Sequence, residues 1–108
     1  MLTRFFAGLA LVAAGAQTVL ASDWQYCLAP SQAEHKIYMS GAFAVRNSLN
    51  DADRAFEVML NQAGLRHDVV QCPRAEDESS IAAMEQYAIG YNRKNGNTIV
   101  HIPLGERR

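Results

Sequence analysis

Cys27 and Cys72 are the only cysteines in the chain, so a single intramolecular pairing is available to them. Joining them closes a loop of about 45 residues, and on the chain-entropy model that removes roughly 4 kcal/mol of freedom from the unfolded chain. Small domains hold net stabilities of only about 5–15 kcal/mol, so such a link could decide whether one folds at all. The bond persists only in an oxidising compartment.

The first residues supply that compartment as an expectation. Residues 1–21 read MLTRFFAGLALVAAGAQTVLA. Arg4 makes a short positive region, Phe5 to Ala16 is apolar throughout, and Val19, Leu20 and Ala21 place compact residues before a cut at Ser22. This is the three-part pattern of a cleaved secretory signal peptide. The apolar stretch is short for a membrane span, and Gln17 and Thr18 interrupt it. Cys27 lies too far past the cut to carry a lipid. The reading is therefore a leader over 1–21 and a single domain over 22–108, with 104–108 a loose tail. The expected address is secreted or periplasmic. The absence of an N-x-Ser/Thr sequon after the leader favours a bacterial exported protein.

Removing Arg4 turns 10 basic residues into 9 against 11 acidic ones, a net charge of −2. That balance argues against a nucleic-acid binder, and the small basic pairs Arg93–Lys94 and Arg107–Arg108 do not make a phosphate footprint.

Trp24 to Ala29 alternates with strand periodicity, and Pro30 to His35 reads as a polar turn. Lys36 to Phe43 forms a second strand, with Gly41 marking a bulge or its end. Ala52, Ala55, Phe56, Met59, Leu60 and Ala63 recur at three- and four-residue steps. They predict a helix over 51–63, capped by Asn50 or Asp51 and ended by Gly64 in a left-handed conformation. Asp68 to Cys72 is a short strand stopped by Pro73. A second helix follows the acidic Glu76, Asp77 and Glu78 and ends at Arg93 and Lys94 before Gly96. Its apolar stripe is Ile81, Met84, Ala88 and Tyr91, with Tyr87 on the flank. Gly90 inside it suggests a close approach to the sheet. Thr98 to Ile102 is the last strand.

The order β-β-α-β-α-β predicts a small two-layer α/β domain on the border of α+β. It has a four-stranded mixed sheet, both helices on one face, and one disulfide tying the opening hairpin to the strand between the helices.

The chemistry-bearing residues are sparse. His35, His67 and His101 show no metal spacing, and no nucleophile elbow or glycine-rich phosphate loop is present. No metal or cofactor is expected, since Glu76, Asp77 and Glu78 lack a calcium-loop pattern. Arg74 close to Cys72 would favour a thiolate, but no Cys-x-x-Cys partner accompanies it. An enzyme reading would use His67 or His101 as acid/base with Asp68, as a small hydrolase. A third reading is a structural component of the cell envelope. The leading expectation is a non-catalytic domain that binds a protein or a surface ligand, inhibitor- or immunity-like by analogy only. Its binding patch would be Trp24, Tyr26 and Tyr38, if they share a solvent-facing side.

Overall fold

The computed structural model describes residues 23–45 and 51–104. The expected leader and Asn50 lie outside them, as do residues 105–108. The elements in chain order are β1 (Trp24–Gln25), β2 (Leu28–Ser31), β3 (Lys36–Met39), β4 (Phe43–Ala44), α1 (Asp51–Gln62), β5 (Arg74–Ala75), α2 (Glu78–Lys94) and β6 (Thr98–His101). They form a small compact α+β domain. Its strands make two three-stranded sheets, β4–β1–β5 and β2–β3–β6. Every pairing is antiparallel except β3 with β6.

Register joins the two sheets. Trp24 pairs with Ala75, Gln25 with Arg74 and Leu28 with Gln71, so residues 71–75 follow the first strand segment without a slip. Asp68 N extends this edge by donating to Pro30 O at 2.7 Å. The expected strand over 68–72 is thus reduced to one bridge at Gln71, and the paired strand, β5, lies beyond Pro73 where the sequence placed an end. Proline is tolerated there because the segment is an edge. It accepts from Tyr26 N at 3.3 Å and simply returns no bond of its own. Pro30 likewise lies within β2 and does not open the turn.

On the other side the register slips by one residue between Gln25↔Phe43 and Leu28↔Met39. Tyr26 and Cys27 thus face Ser40, Gly41 and Ala42, which is a bulge at the place Gly41 suggested. Ser40 holds it. Its backbone N donates to Cys27 O, and its Oγ accepts from Cys27 N, both at 2.9 Å. Ser40 is buried, so Ser40→Ala should strand the Cys27 N–H and cost about 1–3 kcal/mol in a urea titration. A loss below a few tenths would show that another acceptor takes over.

The helices do not share a face, contrary to expectation. Cys27, Ala29 and Tyr38 pack with Phe56 and Leu60 of α1, joined by Val100 and Ile102. The alternate residues Tyr26, Ile37 and Met39 pack with Ile81 of α2, joined by Leu28, Ala88, Ile89 and Ile99. Successive strand residues point to opposite faces, so α1 and α2 cover opposite sides of the sheet. The domain has three layers rather than two. The cause is visible in Ile37-Tyr38-Met39, which is buried without alternation, as a strand covered on both faces must be.

Local signals for the helices hold well. Gly64 and Gly96 take positive φ after the two helices, at 71° and 86°. Asp77 caps α2, its Oδ1 accepting from Ser80 N at 2.8 Å and from Ser79 Oγ at 3.1 Å. These bonds hold its carboxyl below the usual range. Leu104, placed in the loose tail by sequence, instead packs against the α1 side of the core.

Candidate functional site

The two cysteines meet as expected. Cys27 stands directly across from Cys72, with Cα atoms 4.0 Å apart, and the sulfurs are bonded. Leu28 and Gln71 exchange both backbone hydrogen bonds. The cysteines are therefore the neighbouring non-hydrogen-bonded pair, where opposed side chains come closest. Cys27 is fully buried and Cys72 half-buried. Arg74 does not serve a thiol. Its Nη2 lies 2.8 Å from Oδ2 of the buried Asp23, fastening β5 to the start of β1. Gln25 adds a bond from Nε2 to Cys72 O at 3.0 Å.

The aromatic patch expected at Trp24, Tyr26 and Tyr38 does not form. Tyr26 is 4% and Tyr38 2% exposed, and they lie in the cores on opposite sides of the sheet. Trp24 is half-buried beside Tyr26. Strand alternation was read correctly, but the helices that cover both faces leave no open side. Burial, and secondarily the charge of Glu85, raises the Tyr26 hydroxyl above its ordinary 10.0. A raised value means that the phenol stays neutral in the fold at a pH where the unfolded chain ionises. Its contribution is therefore complete below pH 10.0 and lost as pH rises through the higher folded value. Between pH 8 and 11, roughly spanning that range, the urea midpoint should fall further for the wild type than for Tyr26→Phe. Equal losses would place the alkaline sensitivity elsewhere.

The acid/base constellation is not assembled. His67 directs Nδ1 to Asp68 O at 2.7 Å and Nε2 to Asn61 Oδ1 at 3.1 Å. The Asp68 carboxylate turns away and accepts from Gln32 N at 3.2 Å. Both ring nitrogens are thus engaged by the protein, and the ring ties the end of α1 to the following segment. His67 does border an open hollow of about 600 Å³ with Glu57, Arg66 and Asp68. His101 is on β6, three strand spacings from the 68–75 edge, or about 14 Å across the sheet. His35 sits in the exposed turn between β2 and β3, at φ 57°. Among the described residues no group of three His, Cys, Asp or Glu side chains is placed to hold a metal ion. Asp77 in particular is occupied as the helix cap.

The surface feature that sequence reasoning misplaced is on α2. Ile81 is buried and Glu85, Ala88, Ile89 and Asn92 are half-buried, so this is the side that meets the sheet. Met84 and Tyr91, expected to be inward, are 37% and 57% exposed, and Tyr87 is 74% exposed. The Tyr87 and Tyr91 rings stack at 6.2 Å with planes 17° apart. Glu85 is the only charged residue from Ser79 to Asn92, and it belongs to the sheet side. The solvent face of α2 is therefore small, aromatic and uncharged, whereas α1 exposes Asp51, Asp53, Arg54 and Glu57. The missing charges in residues 79–92 were the available signal. No protein-family model, curated protein or solved structure matches the chain.

Proposed function

We propose that this chain is an exported, disulfide-stapled interaction domain that works by binding a protein partner on the outer face of α2 and not by catalysis. The observation that carries the reading is the stacked, exposed Tyr87–Tyr91 pair on a helix face without charge. Aromatic side chains supply large contact area at little entropic cost, and they are enriched where interfaces draw their binding energy. A charged outer face is what a helix needs when water is its only neighbour. Export is supported by Arg4, the apolar run Phe5 to Ala16 and the compact residues before Ser22, together with a disulfide that favours an oxidising compartment.

Photo-cross-linking tests this. A photoreactive phenylalanine at position 87 should give discrete adducts in cells expressing the full chain, and Tyr91→Ser should diminish them. The same probe at Glu57 on α1 should give none. Absence of adducts at position 87, or equal adducts at both positions, would remove the α2 face as a binding surface.

A further inference from the structure

We propose that the open hollow between the end of α1 and the β2–β3 turn binds a small zwitterion of the free amino-acid class; this site is separate from the α2 face. The first observation is Ser31, which lines the hollow. Ser31 is 2% exposed, and among the described residues its Oγ meets no hydrogen-bond partner. Burying a hydroxyl without a partner costs the fold free energy. Strand alternation puts this side chain on the α1 side, two places beyond Ala29 of the α1 core. An alanine at position 31 would continue that apolar row. The hydroxyl instead ends the row at a cavity of about 600 Å³, within the range of small-molecule sites.

The second observation is charge around the same space. Glu57 comes from α1 and Arg66 from the segment that follows it, and both border the hollow. Among the described residues Glu57 forms no ion pair. Arg66 has only Glu34, at 3.9 Å, and its side chain is 76% exposed. Two opposite charges therefore flank one cavity without neutralising each other. The remaining titratable groups there are engaged within the fold, His67 by Asp68 O and Asn61 Oδ1, and Asp68 by Gln32 N. A ligand with an ammonium for Glu57, a carboxylate for Arg66 and a polar atom for Ser31 Oγ satisfies all three groups. The guanidinium is suited to the carboxylate because it can donate two parallel bonds to it. A simple cation or anion would match one charge and sit beside the other, which repels it. The hollow is open and both charges are solvated, so affinity belongs in the millimolar range, on the order of 0.1–10 mM.

Amide NMR of isotope-labelled, oxidised protein from cells expressing the full chain tests the site, with each common amino acid titrated in turn. Saturable shifts are expected at Ser31, Ala33, Leu65 and Arg66 and absent from the outer face of α2. Glu57→Gln and Arg66→Gln should each weaken binding about tenfold. Ser31→Ala should weaken it too, while its urea midpoint holds or rises, because no hydrogen bond within the fold is lost. Acetate and methylammonium each carry one of the two charges and should bind at least about tenfold more weakly than the best amino acid. No saturable shift with any amino acid up to about 50 mM overturns the proposal. So does acetate or methylammonium binding as tightly as the zwitterions, and so does binding indifferent to both Glu57→Gln and Arg66→Gln. A urea midpoint that falls in Ser31→Ala also overturns it, since the hydroxyl would then be spent within the fold. None of these measurements involves Tyr87 or Tyr91, so the α2 surface stands or falls separately on its cross-links.

Discussion

Replacing both cysteines, as Cys27→Ala with Cys72→Ala, should lower the unfolding free energy by about 4 kcal/mol. The bond spans 45 residues, and a loop of that length carries this entropy in the unfolded chain. Small domains retain about 5–15 kcal/mol in total, so the variant should be marginal at ambient temperature and open at physiological temperature. The folded state contributes little to the difference, because the two residues already face each other in a strand pair held by the Leu28–Gln71 hydrogen bonds. Urea titration of the oxidised protein, the reduced protein and the double variant measures it. A loss below about 1 kcal/mol would mean that the unfolded chain is already held compact by other contacts.

Phe56→Ala should cost a further about 3–5 kcal/mol. Phe56 and Leu60 are the fully buried side chains by which α1 meets the sheet, packed with Cys27, Ala29 and Tyr38. Truncating the ring leaves a cavity between a helix and a disulfide-bearing strand, and neither can move in to fill it. Val58, on the same helix but 44% exposed, provides the control, and its change to alanine should stay within about 0.5 kcal/mol. Similar losses at the two positions would mean that α1 is not anchored by its buried face.

Much of this architecture was legible in the sequence where the signal is local. Gly64 and Gly96 marked the helix ends because the left-handed conformation they adopt disfavours other residues. The disulfide followed from the cysteine count. What remained hidden was non-local. The alternation from Trp24 to Ala29 showed that two faces exist but not that both are covered. The burial of Tyr26 and Tyr38 on opposite sides depends on where α1 and α2 return to the sheet. On α2 the apolar positions span a broader arc than the sheet can cover. Residue type alone did not say that Ala88 and Ile89 would be taken inward while Met84 and Tyr91 remained in water. Pro73 was read as a strand end because proline interrupts a ladder, yet an edge strand needs only one side of its ladder. The α2 face could have been recognised from the near absence of charge over residues 79–92, a signal outweighed by the aromatic residues near the front of the domain.

The Cys27–Cys72 bond also alters the route by which the sheet can be completed. β6 joins β3 in parallel, with Tyr38 beside Val100, so the last strand must find a neighbour laid down much earlier in the chain. Along the backbone that journey includes all of α1; through the sulfur bridge it bypasses that helix. The shorter path lowers the entropy of closing the final loop by roughly a few tenths of a kcal/mol. Oxidation before β6 docks would therefore speed assembly modestly and make the order of chemical and conformational events matter during maturation.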